Sequence, residues 1–92
     1  MKYKVSFTLG TDYKFAVING YRPNWIGKRK PDYNCAQLLF DDTNVIRPGE
    51  TRECLLEPLA PVLWVNIGLN DTLKCMDGFK HIADAVVIEI IE

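Results

Sequence analysis

The chain has 92 residues, of which 48% are hydrophobic and 25% charged, and a formal net charge of −1. That is enough for one small domain spanning 1–92, with a core but a marginal buried fraction, and the composition is that of a globular chain rather than a disordered one. Its apolar runs fall short of the roughly 18 residues of a membrane span. The alternating start, Met1 to Phe7, lacks the apolar stretch of a secretory signal, so a cytoplasmic location is expected.

The dominant period is two. Tyr3, Val5, Phe7 and Leu9 alternate with Lys4, Ser6 and Thr8, the pattern of a half-buried strand. Gly10-Thr11-Asp12 connects to a second apolar run, Phe15-Ala16-Val17-Ile18, taken as the next strand. Asn19-Gly20 reads as a tight turn or bulge, because both residues tolerate positive φ. The segment after it, Gly20-Tyr21-Arg22-Pro23-Asn24-Trp25, is the most informative in the chain. Pro23 fixes its own φ and pushes Arg22 into extended geometry. A phenol, a guanidinium and an indole are thereby held close together, and Tyr21 to Ile26 is predicted as a strand.

Cys35 to Phe40 is predicted as a fourth strand, followed by a turn at Asp41-Asp42-Thr43-Asn44. Arg47-Pro48-Gly49-Glu50 fits a type II turn. Arg52 to Glu57 reads as a strand with Cys54 and Leu56 on one face, and Pro58 and Pro61 break it. Val62 to Leu69 and Thr72 to Met76 follow as strands. Asp77-Gly78 is a tight turn, and Ile82 to Ile91, dense in β-branched residues, closes the chain as a strand. Seven or eight short strands without an amphipathic helix predict a closed barrel or sandwich. Val5, Phe7, Val17, Leu38, Cys54, Leu56, Val65, Ile67, Val86 and Ile88 are the expected core.

The charges are unevenly placed. Residues 1–30 hold seven basic residues against Asp12 alone, while residues 31–92 hold four against eleven acidic ones. Lys28-Arg29-Lys30 is a local basic knot, either a polyanion contact or a solvated loop. Cys35, Cys54 and Cys75 lie in or beside apolar runs without a C-x2-C knuckle, and His81 is the only histidine. Buried, reduced thiols and no metal are expected. One histidine and scattered cysteines give no nucleophile–base pair, and Asp41-Asp42 reads as turn chemistry because adjacent extended residues point apart.

Several of these segments resemble, in order, the C-terminal (third) β-barrel domain of elongation factor Tu. The hexapeptide is similar to that family's glycine-tyrosine-arginine-proline signature. Arg47-Pro48-Gly49-Glu50 looks like its hydrophobic-Pro-Gly-Asp turn, and Leu55 to Ala60 its apolar strand running into a proline. Asp77 to Val87 resembles its closing acidic-Gly-Gly strand, with Ala83-Asp84-Ala85 where the family has Gly-Ala-Gly. The resemblance implies an all-β, closed antiparallel Greek-key barrel of about six main strands. It also implies contact positions for the T-stem of transfer RNA at Asn24, Asn34, Glu57, Asp77 and Gly78. Glu57 stands where the family commonly has lysine, which places a negative charge beside phosphates.

The chain has no G-x-x-x-x-G-K-[ST] phosphate cradle, so no GTPase domain, nucleotide or other cofactor is expected. The expected function is that of a non-catalytic, stand-alone binding module. It would bind a protein partner of the translation elongation machinery, or mimic part of that machinery. Weak binding of structured, transfer RNA-like RNA is the alternative, and a small enzyme is a third class. The candidate surface comprises Tyr21, Arg22, Trp25, Lys28, Arg29 and Lys30. Trp25 and Trp64 are each either stacking platforms or core, and Tyr21 and Arg22 either contact residues or a structural stack.

Overall fold

The structure, a computed structural model, describes residues 2–27, 33–41, 44–64 and 67–92, and the side chains of Tyr33 and Asn34 lie outside that description. Six strands form a closed antiparallel barrel: β1 (Lys2–Leu9), β2 (Asn24–Gly27), β3 (Tyr33–Leu39), β4 (Thr51–Pro58), β5 (Thr72–Asp77) and β6 (Lys80–Ile91). Their order around the barrel is β1-β4-β3-β2-β5-β6. Strands β2, β3 and β4 are sequential neighbours and β1 lies beside β4, which is a Greek key. Closure leaves no sheet edge, the liability of open β-sheets.

The ends differ in what crosses them. At the end where β1 finishes, called the upper end here, residues 10–23 pass from β1 to β2. Residues 40–50 return from β3 to β4 there, and the β5–β6 hairpin turns there. The β4–β5 connection, residues 59–71, crosses the lower end. No helix among the described residues is long and apolar enough to cross a membrane.

The alternation in β1 produces the core as predicted. Tyr3, Val5, Phe7 and Leu9 point inward, while Lys2, Lys4 and Ser6 are only half-buried. Trp25 meets Phe7 edge-on, with ring centroids 6.2 Å apart, and small residues fill the remaining space: Ala85 is opposite Phe7, and Ala36 and Ala83 are buried nearby. Large rings are matched by alanines, the jigsaw that close packing demands.

Several sequence expectations need correction. Phe15 to Ile18 is not a strand: Val17 alone makes a backbone bridge, to Ile46, and Phe15 and Ile18 are exposed. The third strand begins at Asn24 rather than Tyr21, which makes only a single bridge to Leu38. Instead of a strand from Val62, Pro61–Trp64 forms a 3₁₀ turn, as the two prolines dictate by withholding ladder donors. The closing strand has the opposite phase from that predicted. Ala83, Ala85 and Val87 face the core, whereas Val86 and Ile88 are 36% and 42% exposed. Val5, Phe7, Val17, Leu38, Cys54, Leu56 and Ile67 are buried as expected, and Val65 lies outside the described residues.

Candidate functional site

Tyr21, Arg22, Asn24, Asp77 and Gly78, among the residues singled out in the sequence, lie at the upper end. The Asn19-Gly20 turn is fixed from three directions. Gly20, at φ +89°, donates its N–H to Leu38 C=O (2.8 Å), Tyr21 N–H donates to Ile18 C=O (3.2 Å), and Asn19 Oδ1 accepts from Phe40 N–H (2.8 Å). Leu38 N–H in turn donates to Tyr21 C=O (2.7 Å). The hexapeptide is therefore stitched to β3 before β2 begins. Its alternation then sends Pro23 and Trp25 inward and leaves Arg22 and Asn24 exposed.

Trp25 is withdrawn from the candidate surface. It is fully buried, and its indole Nε1 donates to Ala36 C=O (3.2 Å). Trp64 is likewise core, lying under Tyr3, whose hydroxyl donates to Trp64 C=O (2.9 Å). Neither indole is a stacking platform.

The β5–β6 hairpin brings Asp77 and Gly78 to the same end. Gly78, at φ +62°, occupies the first central position of a two-residue turn between paired Asp77 and Lys80, as a type II′ turn requires. The second central residue, Phe79, is 95% exposed. Asn24 sits opposite Met76, one residue from Asp77, so Asn24, Asp77 and Gly78 are neighbours. Glu57 is two strands away from β2 on the ladder, opposite Gln37, and forms an ion pair with Lys2 at 3.4 Å. Asn34 pairs through its backbone with Trp25. Lys28, Arg29 and Lys30 lie outside the described residues.

A polar relay underlies this surface. Tyr13 donates to Asp77 Oδ2 at 3.3 Å, and the phenol of Tyr21 interacts with that of Tyr13. Burial raises the Tyr21 phenol well above its usual value, with smaller contributions from Cys75, Tyr13 and Asp77. Burial likewise raises Cys75, helped by the carboxylates of Asp77 and Asp84. These groups stay protonated, so the relay is a fixed chain of donors that orients Asp77. Tyr13 also packs edge-on against Phe15, with centroids 5.8 Å apart, and Phe15 is 66% exposed. The 10–23 connection and the hairpin thus present two exposed phenyl rings on one braced end. Sequence reading assigned Phe15 to a strand and passed over Tyr13 and Phe79; an unpaired phenylalanine in a hairpin turn was the available signal.

Two other features lie apart. A groove of about 320 Å³ runs along Leu39, Phe40 and Leu55, reaches Cys54, and is flanked by Lys4 and Glu53, whose side chains pair at 3.2 Å. On the β1–β6 side, His81 Nε2 lies 2.8 Å from Asp84 Oδ1 and 3.0 Å from Ala83 C=O, and a proton on that nitrogen serves both acceptors. Of the three thiols, Cys54 and Cys75 are buried and Cys35 is half-buried, with its Sγ 3.8 Å from Arg22 C=O. Among the described residues no cluster of three or more His, Cys, Asp or Glu side chains is arranged to hold a metal ion.

Compared with known proteins, the chain matches no protein-family model and no curated protein.

Proposed function

We propose that the chain is a non-catalytic binding module that docks on a protein through its upper end, standing in for the third barrel domain of elongation factor Tu that its sequence resembles. The exposed Phe79 at the hairpin tip, with Phe15 exposed at the same end, carries this reading. A phenyl ring in a turn gains nothing from folding, and exposed aromatic anchors are what protein interfaces bury at their centres. The supporting pattern is that Gly20, Pro23, Gly49 and Gly78, four of the residues that carry the resemblance, serve turns or restraints at this same end.

In the elongation factor the barrel packs on the nucleotide domain, so the partner to test first is that isolated domain. Calorimetry with purified chain should show binding that Phe15→Ser with Phe79→Ser removes. No binding to the domain or to the whole factor would reject the mimicry.

A second reading, weak contact with transfer RNA-like RNA, is favoured by two observations. Asn24, Asp77 and Gly78 are adjacent, and the misplaced charge of Glu57 is partly offset by Lys2. If Arg22, Lys28, Arg29 and Lys30 contact phosphates, log affinity should fall against log salt with a slope of about −3. Glu57→Lys should strengthen that binding. Absence of transfer RNA binding at low salt, with Glu57→Lys silent, would reject it.

A further inference from the structure

We infer that the upper end recognises an acidic protein segment carrying an apolar anchor, an inference that rests on reading this end as a docking site. Exposed cations adjoin both phenyl residues in the sequence. Lys14 adjoins Phe15, Lys80 adjoins Phe79, and Arg22 extends the exposed face of β2 beyond Asn24, toward the hairpin turn. All three are exposed, and none forms an ion pair with a described residue.

The neighbouring carboxylates are engaged differently. Asp77 accepts from Tyr13, and Asp84 lies against His81. Asp12 belongs to the groove with Thr8, Gly10, His81 and Asp84, on the β1 side of the hairpin. The carboxylate of Asp77 already has Tyr13 as a donor, whereas the exposed cations Lys14, Arg22 and Lys80 have no ion-pair partner among the described residues. A partner that buries Phe79 and Phe15 must bring these cations to its own surface, and leaving those charges unmatched would weaken binding through like-charge or desolvation penalties. Acidic side chains flanking an aliphatic or aromatic residue meet both demands.

Nucleic acid fits less well. Phe15 stands edge-on to Tyr13, with an interplanar angle of 74°, rather than extending it as a parallel platform for successive bases.

The experiment pans a random phage-displayed peptide library on the whole protein and measures the enriched peptides by calorimetry. Expected are peptides with Asp or Glu flanking Phe, Trp, Leu or Ile. Their affinity should fall roughly tenfold or more both in Phe79→Ser and in the triple variant Lys14→Glu, Arg22→Glu, Lys80→Glu. Val62→Ser, at the opposite end, should leave it unchanged. All these side chains are exposed, and dichroism verifies that each variant folds. If Phe79→Ser changes nothing, the docking reading and this inference both fall. If Phe79→Ser abolishes binding while the triple variant does not, or the enriched peptides are neutral or basic, docking stands and the acidic partner is rejected. Tighter binding by a single-stranded RNA oligonucleotide than by any peptide overturns it in favour of nucleic acid.

Discussion

At the upper end Val17 and Ile46 close the barrel by exchanging backbone hydrogen bonds of 2.8 and 2.9 Å, and a Tyr21–Tyr13–Asp77 relay braces the loops above them. At the lower end a single indole does the closing. Trp64 sits under Tyr3 at the end of a 3₁₀ turn, with Ile67 buried nearby. Both ends expose apolar side chains, Phe15 and Phe79 above, Leu59, Val62 and Leu63 below. Both ends carry directed hydrogen bonds, for at the lower end Tyr3 donates to Trp64 C=O and Leu59 N–H to Cys35 C=O. The lower plug rests mainly on the burial of one large indole, whereas the upper end rests on hydrogen-bonded turns at Gly20, Gly49 and Gly78, where φ is positive. That difference implies different vulnerabilities.

The largest effect should come from the lower plug. Trp64→Ala removes a fully buried ring and should cost about 3–5 kcal/mol in urea unfolding. The indole Nε1 is buried and has no hydrogen-bond partner among the described residues. Trp64→Phe should therefore lose only packing, about 1.5 kcal/mol or less, because no bond is broken and an unsatisfied donor is removed. Equal costs for the two variants would show that the indole nitrogen has a role that its surroundings do not reveal.

Next in size is alkaline unfolding. Burial pushes the Cys54 thiol from 9.0 to about 11, with Arg52 pulling slightly the other way. The folded state thus holds its proton after the unfolded state has lost it. The stability this protonated thiol contributes is intact below pH 9.0, declines as pH rises, and is gone near pH 11. The loss attributable to this thiol is about 3 kcal/mol at most. Burial also raises Cys75, Tyr21 and Tyr13 near the upper end and Tyr3 in the lower plug, so the same sign applies at both ends. Urea unfolding between pH 9 and 11 should follow this decline, and Cys54→Val should flatten it. A stability that is level between pH 9 and 11 would contradict this.

Backbone geometry comes third. Gly49 has φ +87° in a type II turn closed by Glu50 N–H to Arg47 C=O at 3.0 Å. Gly49→Ala should cost about 1–2 kcal/mol through the left-handed penalty, read as a lower urea midpoint with an unchanged slope. The added methyl would only touch Thr11 Cγ2 at 3.4 Å, so a larger loss would point to packing rather than to φ.

These turns were also the most legible part of the sequence. Asn19-Gly20, Pro48-Gly49 and Asp77-Gly78 announce themselves through residue chemistry that is local, and the alternation of β1 is equally local. The phase of β6 was not. Val86, Val87, Ile88, Ile90 and Ile91 are apolar on both faces, so period two cannot choose between them. The choice falls to pairing across the barrel, which sets Ala85 against Phe7 and Val87 against Val5 and leaves Ile88 in a bulge. The burial of Trp25 was obscured because its neighbours Arg22 and Asn24 are exposed, although alternation through Pro23 places it inside. The phenyl rings at the upper end became visible only once residues 13 and 77 were seen to meet across the molecule.

The smallest stability effect belongs to the residue given the largest functional one. Phe79 touches little of the folded chain, so Phe79→Ser should move stability by about 0.5 kcal/mol or less in either direction. Val62, 75% exposed at the lower end, should behave alike when changed to serine. On stability alone the two ends would look equivalent. They separate in binding: with the nucleotide domain of elongation factor Tu as partner, Phe79→Ser should abolish the calorimetric signal and Val62→Ser should not. The reverse outcome would move the docking surface to the lower end, where the plug formed by Trp64 would then underlie it.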